Sequence, residues 1–134
     1  MAIKWTDDLA TGTPDIDDQH KELIFQINNL IAALSEGRAR HEVEKMIQFM
    51  NEYVSYHFKT EEKYMDKFGY PNTTAHKGQH EVFVKSFSRL KQRYLQQGVD
   101  QELISETNDL IADWFVNHIR YVDRALGMFL NRKL

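Results

Sequence analysis

The 134-residue chain contains no cysteine, which removes disulfides, thiolate nucleophiles, iron–sulfur clusters and cysteine zinc sites from consideration. Any redox chemistry must therefore use histidine, carboxylate or a bound cofactor. Positive charge is not in excess either: 17 Lys and Arg stand against 20 Asp and Glu, a formal net charge of −3, so no basic field is offered to nucleic acid or anionic lipid. No uninterrupted apolar run approaches the length of a membrane span, and the opening MAIKWTDDLATG lacks the apolar core of a signal peptide. The expectation is a cytoplasmic protein that neither inserts into a membrane nor binds nucleic acid. Proline and glycine are scarce, at 2 and 6 residues, and they punctuate long periodic stretches in which no strand-like alternation is seen.

What is present is helical periodicity. A chain this long can bury one hydrophobic core unaided, so a single domain spanning 1–134 is expected, with an N-terminal arm over about 1–14, a bundle over about 15–120 and a tail over about 121–134. The arm has Gly12 and Pro14 as breakers and Trp5 and Leu9 as anchors. From Asp15 or Asp17 as N-cap, His20, Leu23, Ile24, Ile27, Leu30, Ile31 and Leu34 repeat at three and four and stop before Gly37. A second stripe starts around Arg40 to Glu42 and carries Val43, Met46, Ile47, Met50, Val54, His57 and Glu61. A third starts at Thr73 or Thr74 and carries His76, His80, Phe83, Phe87, Leu90 and Tyr94. The fourth, capped by Asp100, carries Leu103, Leu110, Ile111, Trp114, His118 and Ile119. Val122, Leu126, Phe129 and Leu130 give the tail an apolar face, with Gly127 weakening its helix. The fold class is all-α: an antiparallel up-down-up-down four-helix bundle with an N-terminal arm and a short C-terminal helical tail.

In that topology the start of helix one, the end of two, the start of three and the end of four share one end of the bundle. His20, His57, Glu61, His76, His80 and His118 occupy those positions. Residues four apart lie on one helix face, so His57 pairs with Glu61 and His76 with His80. Any one histidine on an apolar stripe is ordinarily a hydrogen-bonded structural group, and His41, at the opposite end, keeps that reading. Six polar groups on four apolar stripes are different, because buried polar atoms need compensation, and a metal centre supplies it. Glu62 is rotated away from the His57 face and is expected in solvent. Asp123 lies five residues past His118, so a π-type widening between them is expected to bring both inward. Five histidines and two carboxylates are too many for one metal with open chemistry. Two metals sharing both carboxylates use them all and leave a single open position on one metal.

His20, then HFKTE from His57, HKGQH from His76 and HIRYVD from His118 to Asp123 resemble the hemerythrin signature in order and spacing, over essentially the whole chain. The Trp5 arm and the DDQHKEL segment are most similar to the stand-alone bacterial members of that family. The resemblance implies a non-haem di-iron centre that binds O2 reversibly. It implies His76, His80 and His118 on one iron and His20 and His57 on the iron that receives O2, with Glu61, Asp123 and an oxo or hydroxo group as bridges. It also assigns Leu23, Phe58, Trp114, Phe115 and Ile119 to an apolar O2 pocket, positions that equally serve core packing. The expected function is O2 carriage, storage or delivery by a non-enzymatic monomer, with an O2-accepting protein or enzyme as its partner. The alternatives are an O2 or redox sensor acting through a partner protein, or a di-iron oxidase, peroxide or nitric oxide reductase. Oxygenase-type centres are richer in carboxylates and carry paired Glu-x-x-His motifs, which disfavours the enzyme.

Overall fold

A computed structural model describes residues 3–133, the side chains of Leu34, Ser35 and Ala39 excepted. The ends of the expected arm and tail, residues 1, 2 and 134, and the Leu34 side chain placed on the first stripe, therefore lie outside the described residues. The element order is a 3-10 turn at Asp7–Leu9, then α1 (Pro14–Glu36), α2 (Ala39–Phe68), α3 (Thr73–Gln97) and α4 (Gln101–Thr107). A π-helical segment Asn108–Trp114, α5 (Phe115–Asn117), a second π-helical segment His118–Asp123 and α6 (Arg124–Asn131) complete it. The junctions from Asn108 to Arg124 all keep helical dihedrals, so residues 101–131 form one continuous rod. The chain is thus the expected antiparallel four-helix bundle, with α1 on α2, α2 on α3, α3 on α4, and the rod returning against α1 and α2.

The helix starts differ from the sequence reading in three places: α2 begins at Ala39 after Arg38, α3 is capped by Asn72 and not by Thr73 or Thr74, and α1 begins before either expected aspartate. Thr13 is the N-cap of α1, with Pro14 at the first helical position, where its missing N–H costs nothing. Asp17, freed from capping, turns outward to hold the arm. Its carboxylate accepts hydrogen bonds from the Thr11 and Gly12 backbone N–H groups and the Thr11 hydroxyl, at 2.7, 3.1 and 2.8 Å. Further out, the Asn28 side chain both donates to and accepts from the backbone of Ile3, and the Lys21 ammonium sits 5.2 Å from the centre of the Trp5 ring. Leu9 is fully buried, so the arm is anchored as expected. The tail helix α6 runs through Gly127 without a break, and the glycine there answers a contact with the arm. The arm crosses directly above it, and a Cβ there would lie 2.4 Å from the Thr11 carbonyl oxygen.

The rod explains why two π segments exist. Leu103, Thr107, Ile111, Phe115, Ile119 and Asp123 stand four apart and are all completely buried. In an α-helix each four-residue step overshoots a full turn by about 40°, so five steps drift by about 200° and would aim Asp123 at solvent. Turns closed by i→i+5 bonds hold more residues and absorb the drift. The inner face of the rod is therefore this series, joined by His118, while Leu110 and Trp114, placed inward from the sequence, are only half-buried.

Two apolar clusters bracket one layer of the bundle. The larger fills the distant end and includes Leu23, Ile27, Met50, Phe58, Phe83, Phe115 and Ile119. The smaller, Ile16, Met65, Tyr70, Leu126 and Leu130, caps the near end. Each of these side chains contributes roughly 1.5–3 kcal/mol when fully buried. The layer between them is polar.

Candidate metal centre

That layer holds His20 from α1, His57 and Glu61 from α2, His76 and His80 from α3, and His118 and Asp123 from the second π segment. All seven are at most 3% exposed. The π widening sits where expected, and it places His118 and Asp123, five apart in sequence, on one face. His41 is exposed at the far end and takes no part.

The ring Nε2 atoms converge on the carboxylates in two sets. Glu61 Oε1 lies 3.0 Å from His80 and 3.4 Å from His76, whereas Oε2 lies 3.2 Å from His20 and 3.3 Å from His57. Asp123 divides in the same way. Its Oδ1 is 3.0 Å from His76 and 3.1 Å from His118, and its Oδ2 is 2.9 Å from His20. His20 and His57 approach each other at 3.0 Å through Nε2. The result is one donor set of three histidines and another of two, with both carboxylates common to the two sets.

These contacts are close, yet several are not hydrogen bonds. Both Asp123 oxygens and the Nε2 atoms of His76 and His118 are buried without a hydrogen-bond partner among the described residues. These buried donor atoms, gathered this closely without hydrogen bonds to one another, suit ligands around shared ions. The spacing agrees, since bonds of about 2.0–2.2 Å to a metal at right angles put neighbouring donors about 3 Å apart. Imidazole and carboxylate together suit first-row divalent metals. The residues fit a metal pair.

Electrostatics in the layer follow from burial opposed by proximity. Burial alone would lower the pKa of His20 and His76, but contact with Asp123 and Glu61 overrides it and raises both to about 9. His57 is lowered by burial, with Glu61 only partly opposing. Burial pushes Glu61 up, and burial and the Glu61 charge push Asp123 up. The surrounding imidazoles prevail and hold both below the ordinary carboxylate range. Two anions are thus kept ready in a dry layer.

Beyond the donors, three side chains fix ring orientation, and the sequence reading named none of them in this role. His57 Nδ1–H donates to Gln19 Oε1 at 2.8 Å, and the Gln19 amide N–H in turn donates to Thr60 Oγ1 at 3.1 Å. His118 Nδ1–H donates to Gln79 Oε1 at 3.2 Å. His80 Nδ1–H donates to Glu62 Oε2 at 2.9 Å. Glu62 is therefore not a solvated bystander: it does leave the His57 face, but α3 lies on the side to which it turns. All three are next to a donor in sequence, and an acceptor side chain at that position is the signal that would have found them.

The apolar residues assigned to a pocket surround the same layer. Leu23, Phe58, Phe115 and Ile119 are buried in the large cluster. Phe58 stacks on His80 with ring centres 3.8 Å apart, Phe115 lies 6.0 Å from His57, and Trp114 stacks on His118 at 4.8 Å.

An antiparallel helical bundle with a buried histidine–carboxylate layer at one end is the architecture of the dinuclear metal-binding bundle proteins. Residues 11–130 match the family model described as the Hemerythrin HHE cation binding domain, and the chain belongs to the hemerythrin family. It is 38% identical over 124 residues to the bacteriohemerythrin of Stenotrophomonas maltophilia, covering 92% of this chain and 78% of that one. It is 34% identical over 130 residues to the bacteriohemerythrin of Methylococcus capsulatus, covering 96% and 97%. A crystal structure of wild-type hemerythrin superimposes with a TM-score of 0.74 at 29% identity, covering 96% and 97%. No described helix is long and apolar enough to cross a membrane.

Proposed function

We propose that the chain binds O2 reversibly at a di-iron centre, for carriage, storage or delivery. The observation that carries the reading is the division of each carboxylate between the two histidine sets, Oε1 from Oε2 in Glu61 and Oδ1 from Oδ2 in Asp123. His76, His80 and His118 would hold one iron and His20 and His57 the other, with Glu61 and Asp123 bridging. The two-histidine set has one donor fewer, which assigns the exchangeable position to that side. The names of the bacteriohemerythrin relatives support the same reading.

Two ferrous ions, when bound there, would supply the electrons on which reversible O2 uptake depends. The chain's own residues do the rest. Glu61 and Asp123 would offset half the charge of two ferrous ions within the buried layer, which lowers the cost of burying them. Gln19, Gln79 and Glu62 keep three imidazoles turned with Nε2 inward. Leu23, Phe58, Phe115 and Ile119, with Trp114 at the rim, exclude water and the protons it carries. Exclusion keeps uptake from ending in release of reduced oxygen and oxidised metal.

The test is an absorption spectrum of the reduced, iron-loaded protein before air, after air and after evacuation. A visible band that rises and then falls again over repeated cycles is expected. A band that never reverses, or sustained consumption of O2 with a reductant, would replace this reading with the enzymatic one.

A further inference from the structure

The three outer acceptors are unequal in charge. Gln19 and Gln79 offer neutral amide oxygens, whereas Glu62 offers a carboxylate, which falls on His80 in the three-histidine set. Gln19 is fixed in that neutral role, because its amide N–H is engaged by Thr60 Oγ1 and the oxygen must face His57. Among the described residues the one ion-pair partner of Glu62 is His80, and 31% of its side chain reaches solvent.

We propose that Glu62 is a positioning residue that sets the reduction potential of the centre through His80, an inference that rests on the di-iron reading above. Orientation alone does not require the charge. The His80 ring is already clamped by Phe58, stacked at 3.8 Å with an interplanar angle of 6°, and a neutral amide suffices for His57 and His118. What an anion adds is a stronger pull on the Nδ1 proton, since hydrogen bonds to charged acceptors are about twice as strong as neutral ones. The pull raises electron density at Nε2 and makes His80 the more basic ligand, which favours the more highly charged metal state. The anion thus stabilises the oxidised state from the side away from the exchangeable position. The two-histidine side, with its amide acceptor, keeps an unmodified donor set.

The substitution Glu62→Gln separates the two roles, because the amide oxygen can still accept from His80 Nδ1 while the charge is gone. Iron-loaded protein poised at a fixed potential is expected to hold two irons per chain and to shift its ferrous-to-ferric ratio about tenfold toward ferrous, about 59 mV per electron. Gln19→Glu, which adds an anion behind His57, is expected to shift the ratio the opposite way. A Glu62→Gln protein that keeps both irons and titrates at the wild-type potential overturns the proposal and leaves the O2-binding reading intact. A Glu62→Gln protein that loses iron shows that the charge holds the metal rather than tunes it, and also overturns the proposal. A wild-type protein that holds no iron pair overturns both.

Discussion

Gly127→Ala tests how tightly the arm is seated on the end of the bundle that carries the metal layer. The added methyl would meet three atoms of Thr11, the carbonyl oxygen at 2.4 Å, Cα at 2.5 Å and Cβ at 2.6 Å. Two of these are backbone, and Thr11 is held from the other side by Asp17, so it cannot swing away. Overpacking of this kind costs about 1–3 kcal/mol, and contact with tethered backbone belongs at the upper end. Alanine returns about 1 kcal/mol of helix propensity, leaving a net loss of about 1–2 kcal/mol. Gly78→Ala is the matched control, for it makes the same exchange in α3 with nothing within 4 Å of the new methyl. Urea unfolding of both variants at one temperature is the assay. Gly78→Ala should match or exceed the wild type, and Gly127→Ala should fall about 2–3 kcal/mol below Gly78→Ala. Because Gly127 follows Asp123 by one turn, the same variant should also retain iron less tightly. Equal stability of the two alanine variants would refute the seating of the arm.

Glu61→Ala removes a group common to both donor sets, so both irons should be lost together; elemental analysis showing full iron would contradict the bridge. Leu23→Ser admits water beside the two-histidine set and should speed decay of the oxygenated protein to the ferric state several-fold, whereas an unchanged autoxidation rate would remove Leu23 from the pocket. In protein stripped of metal, contact with Asp123 and Glu61 should hold the pKa of His20 and His76 raised from 6.5 to about 9. Their protonation then stabilises the fold fully below pH 6.5, and that contribution is lost as pH rises through about 9. Urea midpoints should fall across that window, and a flat profile would contradict the assigned contacts.

Where polar residues interrupt apolar stripes, the sequence displays the layer openly. His20, His57, Glu61, His76, His80 and His118 stand at matching ends of four helices, and a helical wheel with short connections is enough to bring them together. Asp123 needed one further step, since its five-residue spacing from His118 makes sense only in a widened turn. The first π segment was equally legible in principle, in the strict four-residue series from Leu103 to Asp123, but a single helix turn cannot reveal it; only the accumulated drift does. Glu62 was misplaced because its position was judged against its own helix and not against α3. Thr13 displaced Asp15 and Asp17 as the cap because Pro14 starts the helix before either. Gly127, which weakens a helix by propensity, is required by a contact with Thr11 across 116 positions of sequence, and no local pattern encodes that. Side chains marked by the periodicity of their own helix could be read from sequence; contacts set by how a second element packs, as for Glu62 on His80 and Gly127 under Thr11, could not.

The most direct measurement is a crystal structure of the iron-loaded protein with anomalous scattering recorded at the iron edge. Two iron peaks are expected, one among His76, His80 and His118 and one between His20 and His57, with Glu61 and Asp123 each giving one oxygen to either ion. A single peak, or a carboxylate bound wholly to one ion, would contradict the account.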